Sequence, residues 1–175
     1  MAKTNNKKAA GAPKAVVGVV VGSDSDLPTM QRCLDRLEAF GIDFEVRVIS
    51  AHRTPDVAHE YAATAIERGL KVIIAAAGMS AALSGVLAAK TTLPVIGVPM
   101  SAGPLVGIDA ALSTMQMPPG VPVACMAIGS AGATNAAIFA AQVLAVADPR
   151  LAAELVAFKD DQARKVMAKD AAGAR

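Results

Sequence analysis

The chain has 175 residues, of which 54% are hydrophobic and 18% are charged, and its formal net charge at pH 7 is +2. This composition excludes an intrinsically disordered protein, because disordered chains are poor in apolar residues and carry a high net charge. It also argues against binding to nucleic acid, because the basic residues are scattered apart from Lys3, Lys7, Lys8 and Lys14 at the N-terminus.

Neither a membrane segment nor a disulfide framework is predicted. The largely apolar run at residues 15–21 follows lysines, as the core of a signal peptide would, but no small-residue cleavage site follows it. No apolar stretch reaches about 18 uninterrupted residues, which a membrane-spanning helix would need. Cys33 and Cys125 lack metal-ligand spacing and are too few for a disulfide framework, which favours a reducing, cytoplasmic compartment. The predicted organisation is a disordered tail over residues 1–14, a single catalytic α/β domain over 15–168 and a C-terminal tail over 169–175.

The first two predicted elements are a buried strand and an amphipathic helix. Residues 16–21 are a nearly continuous β-branched run, which is typical of a strand buried on both faces of a parallel sheet. Met30, Cys33 and Leu37 then recur at helical spacing, and Gly41 marks the end of that helix.

The next predicted strand covers residues 44–49. Thr54-Pro55 then opens a helix that we expect to run to about Arg68. Its predicted inner face carries Val57, Tyr61 and Ala65. His59 falls off this face, so we interpret it as a solvated surface histidine.

Strands and helices keep alternating over the rest of the chain. The remaining predicted elements are a strand over 72–77, an Ala-rich helix over 81–89, a strand over 94–98, a short helix over 108–115, a strand over 123–128, an apolar helix over 134–147 buried on most of its circumference, and an amphipathic helix from 149 to about 167. This alternation predicts a three-layer, doubly wound parallel α/β sheet of the flavodoxin-like kind. Such sheets bind ligands at the carboxyl ends of their strands.

Charged residues are depleted in a long central segment of the chain. Between residues 72 and 147 the only charged side chains are Lys90 and Asp109. A small domain exposes much of its surface to water, so 76 consecutive residues cannot all lie in one core. We therefore predict a homo-oligomer larger than a dimer with apolar interfaces. The alternative is an apolar sheet whose surface consists of uncharged Ala, Gly and Ser.

Small polar residues follow the first strand. Gly22-Ser23-Asp24-Ser25-Asp26 places two hydroxyls and two carboxylates at the start of a helix. Free backbone N–H groups there suit a phosphate, and Asp26 suits ribose hydroxyls. The alternative is that these residues only cap the helix.

The loop after the second strand carries the most informative residues. It reads Ser50-Ala51-His52-Arg53-Thr54-Pro55. A histidine at a strand end can give and take a proton near neutral pH, which general acid–base chemistry requires. Arg53 supplies a forked cation suited to phosphate. The alternative for His52 is a structural role at the start of the next helix.

After the third strand, Ala77-Gly78-Met79-Ser80 lets a ligand approach the backbone N–H groups. No metal-ligating set, Ser-His-Asp set or Cys-His pair emerges, and the shortage of aromatic residues argues against a flavin.

These motifs together resemble one family, the N5-carboxyaminoimidazole ribonucleotide mutases of bacterial purine biosynthesis. Three further segments carry the resemblance: Gly97-Val98-Pro99, residues 116–123 reading Gln-Met-Pro-x-Gly-Val-Pro-Val, and residues 132–137 reading Gly-Ala-x-Asn-Ala-Ala. The resemblance covers residues 16–157. It implies a flavodoxin-like subunit, a homo-octamer, no metal or organic cofactor, and transfer of a carboxyl group from the exocyclic nitrogen to ring carbon C4 of a ribonucleotide.

The resemblance also implies roles for single residues. His52 would be the proton carrier and Arg53 would hold the phosphate. The other residues implied at the substrate are Ser23, Ser25 and Asp26, together with Ser50, Ala51, Ala77 and Gly78 around the migrating carboxylate.

Two positions depart from the family pattern. Ala82 and Ser84 stand where mutases commonly have histidine and proline, and this stretch is similar to related carboxylases that use free carbon dioxide. Direct carboxylation of aminoimidazole ribonucleotide therefore stays open as an alternative. So does a non-catalytic flavodoxin-like module that binds a nucleotide or flavin.

Overall fold

The computed structural model describes residues 15–173, and the tail predicted over residues 1–14 lies outside them. The strands are β1 Val17–Val21, β2 Phe44–Val48, β3 Val72–Gly78, β4 Val95–Met100 and β5 Ala124–Cys125. The helices are α1 Leu27–Ala39, α2 Pro55–Ala63, α3 Ala65–Arg68, α4 Leu83–Ala88, α5 Ile108–Met115, α6 Ser130–Ala145 and α7 Pro149–Ala171. A 3₁₀ turn, Asp24–Asp26, separates β1 from α1.

The five strands form one parallel sheet in the order β2-β1-β3-β4-β5. In the centre, Val19 of β1 pairs with Val46 of β2 on one side and with Ile74 of β3 on the other. The order reverses direction at β1, because β2 lies on one side of it and β3 to β5 lie on the other. The prediction of a doubly wound α/β sheet is confirmed.

Helices cover both faces of the sheet, which explains why β1 is buried along its whole length. Side chains of α1, α6 and α7 pack on one face, including Met30, Leu37, Ala136 and Leu151. Side chains of α2, α3 and α4 pack on the other face, including Tyr61, Ala65 and Leu87. Removing this apolar surface from water is the main stabilising contribution to such a fold. The packing on both faces thereby fixes the positions of the strand ends relative to one another.

The helix that follows β2 differs from the prediction in two ways. It is interrupted at Thr64, which separates α2 from α3. Its buried face is formed by Ala58, Tyr61, Ala62 and Ala65, at intervals of three and four residues, and Val57 is 41% exposed. The prediction for Val57 was wrong because Val57 precedes this stripe by one residue, or about 100° around the helix. His59 is half-buried rather than fully solvated.

Three later elements also differ from the prediction. The fifth strand is only two residues long, because Pro122 has no N–H to donate and the chain turns towards α6 at Gly129, where φ is +71°. Helix α6 buries one face, made of small residues, while Phe139 on the opposite face is 37% exposed. Helix α7 continues to Ala171, beyond the boundary predicted at residue 168.

Candidate active site

A pocket of about 550 Å³ lies at the carboxyl ends of β1, β2 and β3. It is lined by all nine of the predicted site residues: Ser23, Ser25, Asp26, Ser50, Ala51, His52, Arg53, Ala77 and Gly78. The sheet brings them together because the ends of neighbouring parallel strands meet at one edge. Six further residues line it: Gly22, Met79, Ser80, Ala82, Leu83 and Ala102.

The turn after β1 presents two hydroxyl groups to the pocket. Ser23 Oγ accepts a hydrogen bond from Ser25 Oγ at 2.9 Å and one from the Ser25 backbone N–H at 3.4 Å. The same hydroxyl donates to Asp24 Oδ1 at 3.2 Å. Ser23 therefore caps the 3₁₀ turn, as the capping alternative holds, and its hydroxyl also faces the pocket.

Asp26 lies half-buried beside these hydroxyls and does not cap α1 with its side chain. Burial raises the pKa of the Asp26 carboxyl because it disfavours the charged form. A hydrogen bond from the Ser23 backbone opposes this effect, and repulsion by Asp24 adds to it. A carboxyl group that lies in a pocket and whose charged form is disfavoured by burial is typical of a binding or catalytic site.

The loop after β2 is closed by Thr54. Thr54 Oγ1 accepts from the Ser50 N–H at 3.1 Å and donates to the Ser50 carbonyl at 2.9 Å. The Thr54 N–H donates to the same carbonyl at 2.8 Å. These three bonds fix the turn that carries His52 and Arg53.

Arg53 is held between the two loops. Its Nε donates to Ser50 Oγ at 3.3 Å, and its Nη2 donates to the Gly22 carbonyl at 3.3 Å. None of the carboxylates in the described part of the chain forms an ion pair with it. The guanidinium is therefore fixed in place while its positive charge stays available to a ligand.

His52 is exposed at the pocket, and its ring has no hydrogen-bond or ion-pair partner among residues 15–173. The ring nitrogens are free to exchange a proton with a bound molecule. His59 lies on α2 outside the pocket lining. The two histidines of the chain are thus clearly distinguished by position.

The turn after β1 and the loop after β2 form two walls of the pocket. The third wall is formed by the end of β3 and the loop after β4. At Gly78 a side chain is excluded, since a Cβ there would lie 2.8 Å from the Cβ of Ala102. Met79 and Ser80 follow the third strand but had no predicted role, and Ala102 was not predicted to lie at the site. The signal for Ala102 was available, because it follows the fourth strand closely.

Within the described residues, no group of three or more His, Cys, Asp or Glu side chains is placed to hold a metal ion. The helices of the same region include none that is both long and apolar enough to cross a membrane. The charged and hydroxyl side chains that line the pocket are those of His52, Arg53, Asp26 and the serines Ser23, Ser25, Ser50 and Ser80.

The chain is similar to known proteins over most of its length. A family model described as AIR carboxylase matches residues 16–165. The chain is 55% identical over 155 residues to the N5-carboxyaminoimidazole ribonucleotide mutase of Mycobacterium tuberculosis strain H37Rv, covering 89% of this chain and 88% of that protein. It is 50% identical over 152 residues to the mutase of Vibrio vulnificus strain CMCP6, covering 87% and 94%.

Two solved structures have the same fold. The crystal structure of Treponema denticola PurE superposes with a TM-score of 0.78 at 28% identity, covering 91% of this chain and 98% of that one. The crystal structure of a variant of Treponema denticola PurE2 gives a TM-score of 0.80 at 27% identity, covering 93% and 100%.

Proposed function

The chain belongs to the AIR carboxylase family, and from this membership and the composition of its pocket we propose that it is an N5-carboxyaminoimidazole ribonucleotide mutase. It is then an isomerase of purine biosynthesis. It converts N5-carboxyaminoimidazole ribonucleotide (N5-CAIR) into 4-carboxy-5-aminoimidazole ribonucleotide (CAIR). The observation that carries the proposal is the meeting of a free histidine, a fixed arginine and two serine hydroxyls in one pocket.

The phosphate end of the substrate binds where the two polar loops meet. Arg53 supplies the positive charge, and the hydroxyls of Ser23 and Ser25 supply neutral donors. Asp26 accepts hydrogen bonds from the ribose hydroxyls. Binding these non-reacting parts of the substrate fixes the imidazole ring over the small-residue wall.

The chemistry needs one proton carrier. The bond between the exocyclic nitrogen and the carboxyl carbon breaks, its electron pair stays on nitrogen, and protonated His52 gives that nitrogen a proton. Carbon dioxide and 5-aminoimidazole ribonucleotide (AIR) are then both present in the pocket. Ring carbon C4 attacks carbon dioxide, a C–C bond forms, and the proton on C4 passes to His52. The histidine ends in its starting state, so no net proton is consumed.

Carbon dioxide is surrounded by four small residues, Ser50, Ala51, Ala77 and Gly78. Their side chains are uncharged, which suits carbon dioxide because it is neutral and cannot form an ion pair. Excluding water there keeps carbon dioxide from being hydrated before C4 captures it.

Assembly and compartment are part of the same proposal. We propose a homo-octamer, as the family resemblance implies, in the cytoplasm, as the two cysteines without a disulfide favour. Two observations support a large assembly. Residues 72–147 carry two charges, and α5 with its preceding loop exposes Leu105, Val106, Ile108, Leu112 and Met115. Burying such a surface against other copies removes its contact with water. Light scattering of the full chain at low concentration is expected to give a mass well above a dimer, and a stable monomer would refute the argument.

An activity assay with two alternative carboxyl donors tests the function. The purified chain is given N5-CAIR in one reaction, and AIR with bicarbonate in another. We expect CAIR from N5-CAIR and little CAIR from AIR at low bicarbonate. Preferential use of AIR would instead support the carboxylase, which the Ala82 and Ser84 departures keep open. Binding of AIR without turnover of either donor would support the non-catalytic module.

A further inference from the structure

Met79 lies at the rim of the pocket in a conformation that side chains rarely adopt. It directly follows the last residue of β3, and its φ is +55°. Among the non-glycine residues of 15–173, only Met79 and Val106 have positive φ. Glycine would adopt this backbone without strain, so the methionine side chain is present at an energetic cost. Strain of this kind clusters at functional sites.

The Met79 side chain reaches from the end of β3 to the loop after β4. A Cβ on Gly103 would lie 3.5 Å from Met79 Cγ, 3.8 Å from its Cε and 4.0 Å from its Sδ. Gly103 itself has φ +67°, and these distances place the thioether within van der Waals reach of the Gly103 backbone. Met79 therefore bridges two loops at the edge of the third wall.

This wall otherwise contains small or deeply buried side chains. Ala77, Gly78, Ala82 and Ala102 project little, and Leu83 is buried at 1% exposure. Met79 is 56% exposed in the single chain, so at this edge of the pocket its thioether is the long apolar side chain that a ligand can contact. Methionine is flexible and adapts its shape to neighbouring groups.

We propose that Met79 covers the end of the pocket that holds carbon dioxide and limits its escape to water. The proposal rests on the mutase function given above. After the nitrogen–carboxyl bond breaks, carbon dioxide has two fates. C4 captures it, forming the C–C bond of CAIR and releasing the C4 proton to His52, or it diffuses out, adds water to give bicarbonate and a proton, and leaves AIR behind. Covering the edge favours capture.

The ratio of AIR released to CAIR formed tests this role. The full chain is incubated with N5-CAIR, both products are quantified, and spontaneous decay in a blank without enzyme is subtracted. Labelled bicarbonate in the buffer reports the reverse path, since a leaking site incorporates label into CAIR. A residue that only stabilised the fold would not change this ratio.

Three substitutions separate cover from strain. Met79→Ala keeps the strained backbone and removes the arm, and Met79→Gly removes both. Met79→Leu keeps an apolar arm of similar volume. We expect the AIR-to-CAIR ratio to rise roughly threefold to tenfold in the Ala and Gly variants, with unchanged oligomer size, and to return towards wild type in the Leu variant. Met167→Ala is the matched control, because Met167 is 62% exposed on α7 outside the pocket.

Several results would overturn the inference. An unchanged ratio in both the Ala and the Gly variant would show that the arm does not retain carbon dioxide. A Leu variant that leaks as much as the Gly variant, or a leak accompanied by a change in oligomer size, would show that bulk at this edge is not the cause. A wild-type chain that does not accelerate N5-CAIR consumption refutes the mutase function and the cover role together, whereas wild-type turnover with unchanged ratios refutes the cover role alone.

Discussion

Replacing Arg53 with alanine is expected to weaken binding of the phosphorylated ligand selectively. A guanidinium has five N–H donors, of which the structure engages one at Nε and one at Nη2, leaving three for a ligand. Two of these form a bidentate contact with a phosphate, and each charge-assisted bond contributes about 1.5 to 3 kcal/mol. Arg53 is exposed, so water competes for these bonds and the sum has to be discounted.

The expected loss is about 2 to 3 kcal/mol, which is a weakening of roughly 30-fold to 150-fold. Isothermal titration with AIR measures it, and the same titration with the riboside that lacks the phosphate isolates the contribution of that group. In the wild type the phosphate should increase affinity strongly, whereas in Arg53→Ala the gain should largely disappear. Arg53→Lys keeps the charge but loses the fork and both anchors, so it should recover only part of the affinity.

Arg164→Ala is the control for the loss of one positive charge, because Arg164 lies on the exposed surface of α7. It should bind both ligands as the wild type does. If Arg53→Ala retained the full phosphate contribution with an intact fold, the placement of the phosphate beside Arg53 would be wrong. The mutase function would then need a different orientation of the substrate in the pocket.

Three further substitutions test the proton carrier, the half-buried carboxyl of Asp26 and the fold. His52→Asn should retain ligand binding but lower turnover by about two to four orders of magnitude, whereas His59→Asn should change turnover little, as steady-state kinetics will show. Asp26→Asn should raise the free energy of unfolding at pH 7, because the raised pKa of Asp26 means that burial penalises its charged form. This gain in stability should shrink below the ordinary carboxyl pKa of 3.8, where wild-type Asp26 is protonated in both the folded and the unfolded state. Denaturant titrations of both proteins at pH 7 and below the carboxyl pKa measure the difference. Gly132→Ala should destabilise the fold by about 3 kcal/mol or more, because its Cβ would overlap the carbonyl oxygen of Ala127, and an unchanged thermal midpoint would refute this.

Most of the site was predictable because it depends on strand order and strand ends alone. Once β1, β2 and β3 are parallel neighbours, the residues that follow them must share one edge, and hydrophobic patterning locates those strands. It could therefore be predicted, without any knowledge of side-chain contacts, that His52 and Arg53 lie at the same edge of the sheet as Ser23 and Asp26.

The features that the sequence did not reveal depend on local backbone geometry and on partners distant in sequence. The positive φ of Met79 could not be predicted from the sequence, because methionine rarely adopts a positive φ and hydrophobic periodicity carries no information on single backbone angles. The short fifth strand reflects its place at the sheet edge, where tertiary contacts and Pro122 outweigh the β-propensity of Val123. Val57 was misassigned because a shift of one residue rotates the inner face of a helix by about 100°.

The shortness of β5 restricts how copies of this chain can associate. A long, flat strand at the edge of a sheet offers a row of N–H and C=O groups to which another chain can add a strand. At this edge only Ala124 and Cys125 are in the sheet, and the hydrogen bonds that the following Met126 and Gly129 N–H groups make run inward, to the Gly97 and Pro99 carbonyls of β4. A second copy therefore has no ladder to extend at β5. A second copy that packed on this side of the chain would do so mainly through side chains, whose shapes and chemistry specify a partner far more narrowly than backbone hydrogen bonds do.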